Sequence, residues 1–134
     1  MKILPEDQID KFISQNFEQK LMNNSKWRKV CEVLINQEED EVSIFRFKLV
    51  HENDIRESAI YCIETELRFN WLIEPRLYKE VEWLEVPRKY KRETYKNCFE
   101  TKEQNIEKLF KQLQKLGQLP IELSEEKLKL TAYT

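Results

Sequence analysis

The chain contains a single glycine, Gly117, among 134 residues. Phosphate-binding loops need several glycines, because a Cβ atom keeps the backbone N–H groups away from the phosphate. One glycine therefore excludes such a loop. The single histidine, His51, excludes a metal site built on a histidine pair. Both counts favour a protein that binds another molecule over one that transforms it.

Composition indicates one small domain spanning residues 1–134, with residues 1–24 as a candidate addition to a core of residues 25–134. Charged residues make up 36% of the chain, yet the net charge is −2, which disfavours a general nucleic-acid binder. No apolar run is long enough to cross a bilayer, so no membrane contact is expected. The three cysteines are widely spaced without a C-x-x-C motif and the N-terminus lacks the features of a signal peptide, so we expect a cytoplasmic protein.

Two amphipathic helices are predicted before the first strand. Apolar side chains recur at helical spacing from Ile9 to Leu21, and again from Trp27 to Ile35. The first helix is expected over residues 5–22. The Asn-Asn-Ser segment at residues 23–25 supplies capping side chains for the second.

Strands are predicted where apolar and polar residues alternate with a period of two. The alternating segments are residues 42–50, 59–65, 67–73 and 81–86. The second and third are either one long strand or two, since neither Gly nor Pro separates them. Pro87 ends the fourth, because proline cannot donate to a strand ladder. Residues 88–97 are expected to be an irregular connection.

The most regular helix is predicted in the second half of the chain. Residues 101–104, Thr-Lys-Glu-Gln, have the form of a capping box, and apolar residues from Ile106 to Leu116 follow at helical spacing. Gly117 ends this helix, and a last strand alternates around Leu128 and Leu130. The order α-α-β-β-(β)-β-α-β predicts an α+β fold, with a mainly antiparallel sheet of four to five strands packed by helices.

Two kinds of residue are assigned structural roles. His51 begins the polar segment 51–54, which we expect to be an exposed turn and not a metal site. Trp27, Trp71 and Trp83 lie on predicted core-facing stripes, so we expect them to pack in the core. No metal and no other cofactor is predicted.

An acidic run lies between the second helix and the first strand. It consists of Glu38, Glu39, Asp40 and Glu41. Such a run is either a solvated turn, which is the usual case, or a contact that attracts a basic partner. In the second interpretation these four residues are our candidate partner-binding site.

A basic run is the alternative candidate site. It consists of Arg88, Lys89, Tyr90, Lys91 and Arg92. Four cations around an aromatic ring suit a nucleic acid, whose bases stack on such rings. The competing interpretation is a hydrated connection that neighbouring glutamates neutralise. The near-neutral net charge makes nucleic acid the less favoured partner.

Carboxylates also cluster on the predicted strands. They are Glu64, Glu66, Glu80, Glu82 and Glu85. Two carboxylates can hydrolyse a glycosidic bond when an apolar pocket keeps one of them protonated. Cross-strand pairing with Arg46, Lys48 and Arg68 is the simpler interpretation. A small hydrolase is therefore the least favoured function, and we expect no enzyme.

Five short motifs occur in order along the chain. They are Lys26-Trp27-Arg28, Arg46-Phe47-Lys48, Trp71, Glu82-Trp83-Leu84-Glu85, and Leu119-Pro120 followed by Tyr133. In these motifs the chain resembles a group of small uncharacterised bacterial domains, which look like the α+β immunity proteins encoded beside bacterial toxins. The resemblance covers residues 26–133, whereas the first helix and the longer segments near residues 55–68 and 88–99 depart from it. It implies an inhibitor that occupies a toxin's active site or an adjacent surface, and it assigns no residue roles.

Overall fold

A computed structural model describes residues 4–66 and 70–134. The described residues form three α-helices and nine strands. In chain order these are α1 (Glu6–Asn16), α2 (Asn24–Ile35), β1 (Ile44–Leu49), β2 (Arg56–Ala59), β3 (Trp71–Ile73), β4 (Arg76–Leu77), β5 (Val81–Pro87), β6 (Lys89–Tyr95), β7 (Cys98–Glu103), α3 (Ile106–Gln114), β8 (Ile121–Leu123) and β9 (Lys127–Thr131). The predicted α+β class is confirmed.

Five strands form the main sheet, in the order β2-β1-β5-β9-β8, and every neighbouring pair is antiparallel. One face of this sheet is apolar. Alternate side chains along a strand point to the same face, and the apolar residues occupy those alternate positions. Phe45, Phe47, Leu84 and Leu130 on this face join one buried cluster with side chains of α2 and α3. The predicted helix-packed sheet is thus confirmed.

The opposite face carries a row of charges that alternates in sign across all five strands. The register aligns Glu57, Arg46, Glu85, Lys129 and Glu122 in that order. Arg46 Nε lies 3.1 Å from Glu57 Oε1. Opposite charges on neighbouring strands stabilise the pairing modestly, so cross-strand pairing accounts for these glutamates.

The first helix is shorter than predicted and ends at Asn16. The next residues extend along the end of the chain, where Glu18 N donates to Thr134 O at 2.8 Å and Leu21 N donates to Ala132 O at 2.8 Å. These bonds compete with helix continuation. The second helix begins as predicted, since the Asn23 side chain caps it by accepting from Lys26 N at 2.8 Å.

The strand predicted over residues 59–65 is wrong. Ile60–Cys62 form a 3₁₀ turn instead. A 3₁₀ turn repeats every three residues, so it can bury both Ile60 and Ile63 while it exposes Tyr61. A strand, whose side chains alternate, would place Tyr61 and Ile63 on the same face. Of the predicted strand 67–73, residues 67–69 lie outside the described residues. Asn70 has a positive φ of 59° and is not in a strand, and β3 comprises the last three residues.

The prediction for the tryptophans is correct for Trp27, which is buried and stacks on Tyr78 with ring centroids 5.9 Å apart. It is wrong for Trp83. The regular register of β1 and β5 pairs Trp83 with Lys48 on the outer sheet face. The register shifts only beyond this pair, so that Val81, and not Trp83, reaches the core. There Lys129 Nζ lies 4.7 Å from the Trp83 ring centroid, a cation–π contact.

His51 lies in a turn after β1, as predicted, but contrary to the prediction it is not exposed. Its side chain is buried, and its Nε2 lies 3.2 Å from Glu80 Oε1. Arg76 Nη1 approaches the same oxygen at 3.4 Å, and Leu77 N donates to Glu80 Oε2 at 2.6 Å. Burying an acid is costly unless it is paired, so these contacts explain why Glu80 is tolerated in the interior.

Candidate functional site

A β-hairpin formed by β6 and β7, called here the hairpin, projects from the end of β5. The prediction of an irregular stretch over residues 88–97 is therefore wrong. Asn97 turns the chain with a positive φ of 59°, a conformation that Asn tolerates better than most residues. Its N–H donates to Glu93 Oε1 at 3.2 Å, which stabilises the turn locally.

Gln104 fastens the base of the hairpin to the sheet. Its side chain is buried, with 2% of the residue exposed, and its Oε1 accepts from Ser43 N at 2.8 Å and Ile44 N at 3.0 Å. Its Nε2 donates to Pro87 O at 2.8 Å and Ile44 O at 3.2 Å. The predicted capping box at residues 101–104 is consequently wrong. Asn105 caps α3 in its place, since its side chain accepts from Lys108 N at 3.1 Å.

Arg88 forms a second set of hydrogen bonds at the base of the hairpin. Its Nη1 donates to Glu107 Oε2 at 3.1 Å, its Nη2 donates to Glu107 Oε1, and its Nε donates to Glu125 O. The hydrogen bonds raise the pKa of Arg88 and lower the pKa of Glu107. Arg88 thus has a structural role, although the sequence placed it in the candidate nucleic-acid site.

The acidic run forms a turn between α2 and β1, called here the acidic turn. It is closed by Glu41 N donating to Glu38 O at 2.9 Å. Glu38, Glu39 and Asp40 are exposed, and within residues 4–66 and 70–134 none of them forms an ion pair. Glu41 is half-buried, with Oε1 lying 3.8 Å from Lys108 Nζ. Three carboxylates therefore remain available to a partner.

The structure places the acidic turn and the hairpin on opposite walls of one cavity of about 420 Å³, called here the charged cleft. Tyr90, Arg92 and Lys102 line the hairpin wall. They lie on one face of the hairpin, because Tyr90 is paired with Lys102 and Arg92 follows at the next position but one. The two candidate sites predicted separately are thus adjacent, and each partly offsets the charge of the other.

A second cavity of about 610 Å³, called here the edge groove, lies beside β2 and is mostly apolar. Its lining includes Ile35, Val42, Ile44, Ala59, Ile60, Tyr61, Tyr90, Lys91 and Arg92. Ser43 Oγ and Tyr90 OH, 2.6 Å apart, join the sheet to the hairpin at the border between the groove and the charged cleft.

Large apolar side chains are exposed at four positions in the described part of the chain. They are Tyr61 (87% exposed), Tyr95 (72%), Phe99 (62%) and Ile55 (61%). Tyr95 and Phe99 belong to the hairpin, and Tyr61 lines the edge groove. Ile55 lies between β1 and β2, and is not among the residues lining either cavity.

Two of the remaining candidate carboxylates are paired with lysines. Glu82 Oε1 lies 2.8 Å from Lys48 Nζ, and Glu85 Oε2 lies 3.2 Å from Lys127 Nζ. Glu64 and Glu66 lie outside any described strand, because the 3₁₀ turn precedes them. The prediction that these two glutamates lie on a strand is wrong.

A protein-family model matches residues 9–134, nearly the whole chain. The chain belongs to DUF6678. DUF6678 is described as a family of unknown function. No curated protein and no solved structure matches the chain. The DUF6678 match begins within α1 and extends through the acidic turn and the hairpin to the last residue, so both cavities lie inside it.

Two further findings bear on this DUF6678 member. In residues 4–66 and 70–134, no group of three or more His, Cys, Asp or Glu side chains is placed to hold a metal ion. In the same ranges, no helix combines the length and the apolar character needed to span a bilayer.

Sequence reasoning missed the contribution of Gln104, Tyr95 and Phe99 to this surface. The hairpin strands are exposed on both faces, so they lack the apolar alternation by which strands are recognised. The available signal was Asn97, a residue suited to a turn, between two segments of mixed charge.

Proposed function

We propose that this protein is a non-catalytic binding module for another protein, and that its partner is a toxin which it neutralises. The observation that carries the proposal is the projecting hairpin, on which Tyr95 and Phe99 are 72% and 62% exposed. Aromatic side chains dominate the binding energy of many interfaces because they bury a large area with few rotatable bonds. Exposed aromatic side chains of this size are suited to contact with a partner.

The way the hairpin is fastened supports a preformed binding surface. Gln104 and Arg88 bond its base to β1, β5 and α3 through side chains that make several hydrogen bonds each. A surface that is already ordered loses less conformational entropy when a partner binds. The geometry therefore favours tight association without rearrangement.

The acidic turn supports a basic partner. Glu38, Glu39 and Asp40 lie beside the hairpin, are exposed, and form no ion pair within the described part of the chain. Carboxylates placed in this way attract a positively charged cleft, such as one that handles a nucleic acid, and raise the association rate. The resemblance carried by the motifs in residues 26–133 suggests that the partner is a toxin.

Nucleic acid is the second candidate ligand, since Tyr61, Tyr90, Lys91 and Arg92 share the edge groove. Aromatic rings and cations together suit a single strand. Glu39 and Glu57 line the same groove, however, and repel phosphates. Peptide binding is therefore favoured over nucleic-acid binding.

The test is neutralisation of a neighbouring gene product. We expect a gene adjacent to the one encoding this chain to produce a protein that stops growth, and co-expression of this chain to restore growth. The purified proteins should bind with nanomolar affinity. A neighbouring product that is harmless, or whose toxicity this chain leaves unchanged, would refute the immunity function.

Charge reversal tests the acidic contact separately. Replacing Glu38, Glu39, Asp40 and Glu41 by Lys should weaken binding and reduce its salt dependence, because the attraction is electrostatic. Reversing the same number of charges at Glu18, Glu32, Asp54 and Glu74, which are exposed elsewhere, provides the matched control. Unchanged affinity and unchanged salt dependence in the first variant would exclude the acidic turn from the interface.

A further inference from the structure

The main sheet has an open edge at β2. Ile60 N donates to Ser43 O at 2.8 Å, which makes Ile60 and Ser43 a hydrogen-bonded pair. Such pairs alternate along an antiparallel ladder, so Ser58 and Arg56 direct their main-chain groups towards β1. Glu57 and Ala59 direct theirs away from it. In the described ranges no strand pairs with β2 on this outer side.

The edge groove adjoins this open edge, since Glu57 and Ala59 both line it. Aliphatic side chains of Ile35, Val42, Ile44 and Ile60 form much of the remaining wall. The groove therefore has the unpaired edge of β2 on one side and an apolar surface beside that edge. An extended peptide uses both features when it adds to a sheet, because its main chain pairs with the edge and its alternate side chains enter the groove.

The charges of the groove indicate one property of such a peptide. Lys91 and Arg92 stand at its hairpin wall, and in residues 4–66 and 70–134 neither forms an ion pair. Glu57, in contrast, is paired with Arg46. Glu39 also lines the groove and forms no ion pair within the described ranges. Two unpaired cations therefore face one unpaired carboxylate, and the net charge still to be complemented is positive, so an acidic side chain fits at that end.

We propose that the edge groove binds an extended segment of a partner protein as an added strand on β2. The segment carries aliphatic side chains at alternate positions and an acidic side chain facing Lys91 and Arg92. This inference rests on the proposed function, and it adds the mode of recognition and the chemistry of the recognised segment. A second copy of this chain fits less well, because its own β2 would present the polar residues Arg56, Glu57 and Ser58.

Ala59 allows a sharp test of strand addition. Its φ is −78°, close to the value that proline imposes, and its N–H points away from β1. Ala59→Pro therefore removes one outward donor and blocks the edge with a ring, while the pairing with β1 is retained. Ala59→Ser keeps the N–H and is the matched control. Thermal unfolding confirms that each variant is folded before binding is measured.

The probe is a random dodecapeptide library displayed on phage and panned against the whole protein. We expect enriched peptides with alternating aliphatic residues and one acidic residue. A synthetic peptide of the enriched sequence should lose about tenfold in affinity for Ala59→Pro, the effect of about one lost hydrogen bond, and little for Ala59→Ser. Replacing Lys91 and Arg92, which are both exposed, by Glu should shift the selected peptides from acidic to basic, and thermal unfolding checks that this variant is folded.

Three results would overturn the inference: no enrichment, enrichment without alternation, or equal binding by Ala59→Pro and Ala59→Ser. Binding of single-stranded RNA, or dimerisation of the protein, that Ala59→Pro abolishes would also overturn it, because the edge would then take a different occupant. The neutralisation assay separates the two proposals. If Ala59→Pro binds the neighbouring gene product normally, strand addition is wrong while the protein-binding function stands.

Discussion

Gln104 Nε2 donates to the carbonyl oxygen of Pro87 at 2.8 Å, at the point where β5 ends and the hairpin begins. Pro87 has no N–H with which to continue the pairing with β1. The Gln104 carboxamide supplies the missing connection, because it also donates to Ile44 O and accepts from Ile44 N. One side chain thus joins two strands of the sheet to the hairpin.

Replacing Gln104 by Leu should lower the free energy of unfolding by about 3 kcal/mol, since buried main-chain groups of Ser43, Ile44 and Pro87 lose their partners. Urea denaturation measures the change. Gln118→Leu, at an exposed position, is the control. Equal stability of the two variants would show that Gln104 does not fasten the hairpin.

Acid should weaken the fold partly through Glu52. The hydrogen bond from Arg56 lowers its pKa below the usual 4.5, against the smaller opposing effect of burial. A lowered pKa in the folded state contributes stability above the unfolded pKa, and this contribution is lost as the pH falls below about 4.5. Glu52→Gln should therefore lose less stability between pH 6 and pH 3, in roughly the range where carboxylates titrate. Thermal melts across this pH range test the prediction, with Glu18→Gln as the exposed control. If wild type and Glu52→Gln lose stability in parallel as the pH falls, the prediction is contradicted.

Gly117→Ala should destabilise the protein by about 1–2 kcal/mol, because residues with a Cβ rarely adopt positive φ. Gly117 has a φ of 118°, and a Cβ there would meet no atom within 4 Å, so the cost comes from the backbone alone. Chemical denaturation against Gln118→Ala isolates this effect. A neutral result would mean that the chain after α3 relaxes to negative φ.

The three thiols should differ in reactivity. Burial raises the pKa of Cys31 to about 12, whereas Cys62 and Cys98 are exposed, and only the thiolate reacts quickly. Titration with a thiol-specific disulfide reagent should modify two thiols in the native protein and the third only after unfolding. A Cys62→Ser, Cys98→Ser variant should show no fast reaction. A fast third thiol would contradict the burial of Cys31.

The helices α2 and α3 and the strands β1, β5 and β9 were predictable from the sequence. Each buries one face against the common core, so its apolar residues recur with the period of the element. The end of α3 was predictable for the same local reason, since Gly117 supplies a positive φ where the chain turns. Local chemistry was sufficient in these segments.

The candidate site was less predictable because its two halves are distant in sequence. Nothing local to residues 38–41 or 88–92 indicates that they face one cavity. That proximity arises from the pairing of β1 with β5 and from the bonds of Gln104, whose partners are 17 to 61 residues away. The capping-box pattern at residues 101–104 was misleading for a similar reason, since tertiary hydrogen bonds to Gln104 outweighed the local motif.

The most direct test of the account is calorimetric titration of the neighbouring gene product with three forms of the protein: wild type, Tyr95→Ala with Phe99→Ala, and Ile55→Ala. Tyr95 and Phe99 are the proposed anchors, while Ile55 is equally exposed outside the hairpin. We expect the double variant to lose at least about a hundredfold in affinity, because two anchors are truncated, and Ile55→Ala to bind like wild type. Wild-type affinity in the hairpin variant would contradict the account.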